Sequence, residues 1–238
     1  MKLARLLPLP LLALVLGAAP QPPEPSYDVV IRGGTVYDGS GGRPFIGDVA
    51  VKGDRIAAIG QHLPGRGTSE VDARGKAVSP GFINMLAHPE ESLIADGRAV
   101  SDLTQGVTLE VMGEISMGPL SPSMKALVAK RQGDIKYPVN WNTLGEYLQM
   151  LEKRGIAPNI ASFVGAGTVR ENLLGEANIQ PNPAQLRAMQ ALVKQAMEEG
   201  ALGLTDALIY APNTYAKTPE LIALAKASAA CGDRKSVV

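Results

Sequence analysis

Lys76-Ala77-Val78-Ser79-Pro80-Gly81-Phe82-Ile83-Asn84-Met85-Leu86-Ala87-His88-Pro89-Glu90-Glu91 is the stretch on which two kinds of sequence meet. Ahead of it lie short β-rich segments closed by glycine clusters, and behind it strand-like runs alternate with helix-like ones. Pro80-Gly81 is therefore read as a hinge between a β-rich front and an α/β back, and function is expected to begin just after it.

In the front part, residues 27–32 alternate Tyr27, Val29 and Ile31 with Asp28, Val30 and Arg32, the period of a half-buried strand. Gly33-Gly34 predicts a turn, residues 35–37 continue the chain, and Asp38-Gly39-Ser40-Gly41-Gly42 predicts another turn. Residues 48–51 and 55–59 flank Lys52-Gly53-Asp54, a hairpin signal. A further strand runs from Val71 toward Pro80, so the front should form a small sheet.

Behind the hinge, residues 107–112 are apolar enough for a strand buried on both faces, and residues 159–164 and 202–208 read as further strands. Between them come helical patterns. Residues 123–131 form a short one; Leu144, Tyr147, Leu148 and Leu151 give an amphipathic stripe with Thr143 as N-cap; and Asn182-Pro183 opens a long helix that runs through Glu199. Residues 165–170 read as a loop and residues 221–230 as a last helix.

With 238 residues, 45% of them hydrophobic, the chain can bury a sizeable core. Twenty-three Lys and Arg balance 23 Asp and Glu, which leaves no basic excess for a nucleic-acid partner. Residues 1–19 have the layout of a signal peptide: Lys2 and Arg5, an apolar run interrupted by Pro8 and Pro10, then Gly17-Ala18-Ala19. The apolar run falls short of the about 20 residues that span a bilayer. An exported protein, periplasmic or secreted, is expected, with residues 20–26 as a Pro-rich leader and no other membrane contact. Its one cysteine, Cys231, cannot form an internal disulfide, so the fold must be held by its core or by a metal.

The order of phrases resembles the amidohydrolase superfamily. The phrases are Asp28-Val29-Val30-Ile31-Arg32-Gly33-Gly34-Thr35-Val36-Tyr37-Asp38-Gly39, then Gly53-Asp54-Arg55-Ile56-Ala57-Ala58-Ile59-Gly60, then Val71-Asp72-Ala73-Arg74-Gly75-Lys76, and Pro80-Gly81-Phe82-Ile83. The later phrases Gln105-Gly106-Val107-Thr108, Val164-Gly165-Ala166-Gly167-Thr168-Val169-Arg170 and Gly200-Ala201-Leu202-Gly203-Leu204-Thr205 look like its D-aminoacylase branch, the N-acyl-D-amino-acid deacylases. The resemblance implies an α/β fold, a partial (β/α)8 TIM barrel of about the first four strands, preceded by a small β-sandwich segment. Residues 27–79 would be the sandwich part and residues 80–232 the first half of the barrel.

The resemblance also implies a metal-dependent hydrolase acting on a small N-acylated amino acid, with a divalent ion, zinc by preference; the departure from the family motif at Leu86 favours one ion over two. In that superfamily Pro-Gly-Phe-Ile is followed by Asp-x-His-x-His, whose period-2 spacing aims both imidazoles at one metal. Here the five positions are Asn84-Met85-Leu86-Ala87-His88. Leu86 stands where the first histidine would be, and only His88 is kept. In place of the branch's Gly-Asn-Cys-Gly the chain has Gly113-Glu114-Ile115-Ser116, so Glu114 could offer a carboxylate where the family has a thiolate. Ala166 replaces a common histidine. Arg170 could meet a substrate carboxylate and Tyr210 could touch substrate. Each has a plainer alternative: a satisfied histidine for His88, a loop glutamate for Glu114, a structural salt bridge for Arg170 and a packing tyrosine for Tyr210. Glu90 and Glu91 suit a helix N-terminus, and His62 a solvated turn.

A complete relative would go on to further histidines and a late catalytic aspartate, none of which occurs before Val238, so this chain alone is expected to be inactive. Residues 233–238 are expected to be a non-native tail, because Asp-Arg-Lys-Ser-Val-Val can be reverse-translated as a common sequencing-adapter string. Two alternatives remain: a non-catalytic binding protein on the same fold, and a dihydroorotase-like cyclic-amide hydrolase. The latter would place a bridging lysine on the fourth strand, where residues 201–208 contain none.

Overall fold

The structure, a computed structural model, describes residues 25–232. The signal-peptide expectation for 1–19, nearly all of the leader and the tail at 233–238 lie outside the described residues. Contacts divide the chain into two compact units that meet at Pro80 and Gly81, the hinge position.

The first unit is one mixed sheet. β1 (Ser26–Val36), β2 (Phe45–Lys52), β3 (Arg55–Gly60), β4 (Arg66–Asp72) and β5 (Ala77–Val78) follow in order. β3, β2 and β1 pair antiparallel, while β4 and β5 both run parallel to β1. The hairpin is where the sequence puts it, with Lys52 opposite Arg55 around Gly53, whose φ of 59° suits a tight turn. The turn expected at Gly33-Gly34 is corrected to a β-bulge inside one long strand. Ile31 pairs with Val49 and Gly34 with Gly47, so two residues of β1 face Asp48 alone. Gly33 takes φ 67°, and its amide donates to Asp48 Oδ1 (2.9 Å), while Asp48 Oδ2 accepts from the Leu63 amide and from Arg32 (both 3.1 Å). A buried carboxylate thus organises the kink. Its pKa is held below the usual range by those donors, against the burial that would raise it.

The second unit alternates strands and helices. β6 (Phe82–Asn84) leads through the short helices α1 (Ser92–Ala95) and α2 (Val100–Thr104) to β7 (Val107–Met112). After α3 (Pro122–Arg131) and α4 (Leu144–Arg154) come β8 (Asn159–Ser162) and β9 (Val164–Gly165), then α5 (Ala166–Leu174), α6 (Pro183–Glu198), β10 (Leu204–Thr205) and α7 (Thr218–Ala229). β6, β7 and β8 are parallel neighbours in that order, and β10 runs parallel to β9. The β8–β9 and β10 segments are also linked by Leu202 N to Ser162 O (2.9 Å) and Val164 N to Gly203 O (3.0 Å).

Local chemistry sets the helix starts. Thr143 and Asn182 each accept from the amides of their first turn and are answered by Glu146 and Gln185, two full capping boxes. α5 corrects the loop expected at 165–170: no side-chain cap or acidic first turn announces it, and buried Val169 and Leu174 carry it into the core. That core gathers Leu144, Tyr147, Leu151, Val164, Val169, Met189, Val193 and Leu224, with Trp141 stacked on Tyr137. Among the described residues no helix is long and apolar enough to cross a membrane.

Candidate functional site

The site is built where β6 and β7 run out together. Asn84 pairs with Glu110, and the ladder continues past β6 as the Ala87 amide donates to Val111 O (2.9 Å). His88 is therefore carried alongside the end of β7. There Gly113 turns the chain with φ 109°; a Cβ on it would lie 2.2 Å from Phe163 O, so no other residue fits without displacing backbone. Glu114 follows directly. His88 Nε2 stands 3.6 Å from Glu114 Oε2, with the imidazole 58% exposed and the carboxylate 17% exposed.

Several hydrogen bonds hold this rim. Thr205 Oγ1 at the end of β10 donates to Gly113 O (2.8 Å). Buried Ser116 Oγ donates to Gly118 O (2.7 Å) and accepts from the Gly165 amide (3.0 Å), and Thr168 Oγ1 donates to Ser116 O (3.3 Å). The loop bearing Glu114 is thus tied to β9 and α5. Sequence reading did not pick out Ser116 or Thr205; a hydroxyl in a glycine-rich loop gives no periodic signal, and only its buried partners reveal the role.

Two ligand atoms about 2 Å from one tetrahedral ion stand about 3.3 Å apart, so the His88–Glu114 separation fits a shared metal. The fit is of two donors. Leu86, half exposed, lines a crevice with Met85, Val111, Met112, Glu114, Phe163 and Thr205 and has no lone pair to give. Among the described residues no group of three or more His, Cys, Asp or Glu could hold an ion. A four-coordinate ion would therefore need donors beyond His88 and Glu114.

The other expected residues stand apart from that crevice. Arg170 takes its plainer alternative, the structural salt bridge, over the substrate contact: its side chain is 0% exposed, pairs with Glu220 and donates to Ile179 O, which leaves no solvent-facing donor for a substrate carboxylate. Tyr210 is exposed rather than packed, in the loop after β10. Ala166 is buried at the start of α5. Glu91 accepts from the Tyr137 hydroxyl (2.7 Å) instead of capping α1, and Glu90 is buried with Oε1 unpartnered among the described residues; burial raises its pKa. Asp206, just past β10, is raised by burial and accepts from the side-chain amide of Asn213.

No family profile matches the sequence. The N-acyl-D-aspartate deacylase of Alcaligenes xylosoxydans xylosoxydans is 33% identical over 197 residues, which cover 82% of this chain and 39% of that protein. A D-aminoacylase crystal structure described as defining a novel subset of amidohydrolases superposes with a TM-score of 0.75 at 30% identity, over 87% of this chain and 44% of that one. The chain is a relative of the D-aminoacylase branch of the amidohydrolases. An N-acyl-D-glutamate deacylase from Bordetella bronchiseptica, complexed with zinc and a phosphonate mimic of the tetrahedral intermediate, matches equally well, with a TM-score of 0.75 and 30% identity over 87% of this chain and 44% of that one. The chain spans about two fifths of the length of these D-aminoacylase relatives.

Proposed function

We propose that the whole protein is an exported, metal-dependent hydrolase that cleaves the amide bond of N-acyl amino acids, of D configuration by analogy with its relatives, to a carboxylate and a free amino acid. The observation that carries this reading is the 3.6 Å approach of His88 and Glu114 at neighbouring strand ends. In this reading the parallel run β6–β7–β8 and the β9–β10 pair are the opening of a (β/α)8 barrel, and the first unit contributes one layer of a β-sandwich. C-terminal strand ends are where such barrels keep their chemistry.

His88 and Glu114 would hold one divalent ion, zinc by preference, through one imidazole nitrogen and one carboxylate oxygen. A bound ion of this kind polarises an amide carbonyl and lowers the pKa of a water molecule. The chain's own part is to aim the donors: Gly113 directs Glu114, Ser116 and Thr205 fix the rim, and exposed Tyr210 is available to substrate. A general base is not assigned among the described residues.

Leu86 favours one second reading, a non-catalytic binding protein on the same fold, because the first ligand position carries no donor. Metal content and hydrolysis of N-acetyl-D-amino acids by the whole protein, with His88→Ala and Glu114→Gln alongside, separate the two. Zinc near one equivalent with turnover, both reduced in each variant, is the expected result. A metal-free, inactive whole protein would leave the binding reading standing.

A further inference from the structure

Glu110 is a carboxylate in an unusual place. It sits in the middle of β7, is 2% exposed, and its Oε1 has no hydrogen-bond partner among the described residues. It lines an open cleft of about 300 Å³ beside α1 and α2, away from the crevice that Glu114 shares with Leu86. The cleft's apolar lining includes Leu93, Ala99 and Val100, and its other acidic groups are Asp102 and Asp96. Asp96 is already neutralised by Arg98, which grips both its oxygens (Nε to Oδ1 2.8 Å, NH2 to Oδ2 2.7 Å). Among the described residues Asp102 receives only the neighbouring Ser101 hydroxyl (3.0 Å), and no lysine, arginine or histidine lines the cleft.

An unpaired carboxylate held out of water costs free energy unless a cation answers it. The geometry points to a binding site for a protonated primary alkylamine in this cleft, with Glu110 as the counter-charge, Asp102 as the second acceptor and Leu93, Ala99 and Val100 around the alkyl stem. An ammonium group supplies N–H donors to a carboxylate that lines the cleft without a hydrogen-bond partner among the described residues, and the volume lies at the small end of ligand pockets. A divalent metal suits it less well, because no three ligating side chains of the described residues converge there and hard divalent ions take six or more oxygens. The site is independent of the hydrolase reading.

The test titrates the whole protein with n-butylammonium chloride and follows binding by calorimetry and melting temperature, with sodium chloride at matched ionic strength and n-butanol as controls. Saturable binding and a rise in Tm with butylammonium alone are expected. Glu110→Gln should weaken binding by about tenfold or more, the loss of one charge-assisted hydrogen bond, and Asp102→Asn by severalfold. The proposal is overturned if butylammonium does not bind saturably, if either control gives the same response, or if Glu110→Gln binds as the parent does. Should Glu110→Gln fail to fold by circular dichroism, Asp102→Asn decides, and an unchanged affinity there overturns it.

Discussion

Arg170 and Glu220 meet in the interior: the guanidinium from α5 pairs with the carboxylate from α7, at 0% and 3% exposure. The pair joins two helices across fifty residues of chain. Removing one partner strands the other charge, so Arg170→Met should cost about 3–5 kcal/mol. The double variant Arg170→Met/Glu220→Leu should recover most of it, because an apolar pair carries no desolvation penalty. Urea denaturation of the three proteins checks this, and a double variant no better than the single one would count against the buried-pair account.

Leu86 is half exposed, in the turn between β6 and His88, and borders the Glu114 crevice. Leu86→His should therefore add an imidazole to the crevice that Glu114 lines, at little cost in stability. Zinc affinity of the whole protein, measured by competition with a chromophoric chelator, should rise by about tenfold or more, the range seen when a supporting group at a metal site is gained or lost. Unchanged affinity would mean that this crevice does not hold the ion.

Gly113 is the pivot between β7 and Glu114. Gly113→Ala would put a methyl group 2.2 Å from Phe163 O at a positive φ, so it should destabilise by more than about 1 kcal/mol. It should also lower zinc binding, since Glu114 cannot keep its aim when the turn shifts. Thermal melting and metal content report the two effects separately, and an alanine variant with both unchanged would show that the turn is not constrained.

The sequence was most legible where one local signal decided the outcome. Thr143 and Asn182 announce their helices by capping chemistry, residues 107–112 form β7 with the bounds their apolar run indicates, and Lys52-Gly53-Asp54 makes its hairpin. Reading failed where distant partners decide. The bulge at Gly33 depends on Asp48 and the helix at Ala166 on core packing rather than on a cap, while the salt bridge of Arg170 was an open alternative whose partner, Glu220, fifty residues on, no local pattern names. The pairing of His88 with Glu114 was legible only as a place in a motif; the turn at Gly113 and the hydroxyls of Ser116 and Thr205 that hold the rim carry no pattern a sequence shows.

Glu110 also makes a prediction about pH in amine-free buffer. Burial raises its carboxyl pKa, with the charges of Asp102 and Glu90 adding to the effect. A carboxyl raised in the folded state binds its proton more tightly there than in the unfolded chain, so its favourable contribution is full below the unfolded value, about 4.3, and is lost as pH rises through the folded one. Glu110→Gln keeps the shape and removes the ionisation. The variant should therefore be more stable than the parent at pH 7, by about 1–3 kcal/mol, the usual cost of an unsatisfied buried polar group, and the gap should close toward pH 4. Asp206, also raised by burial, is present in both proteins and largely cancels in the difference, whereas Glu90, whose charge Glu110 repels, is relieved in the variant and widens the gap at neutral pH in the same direction. Urea denaturation of parent and variant at pH 4, 5.5 and 7 measures it; a gap that stays constant or widens toward acid would show that Glu110 is not held as a strained, unpaired carboxylate.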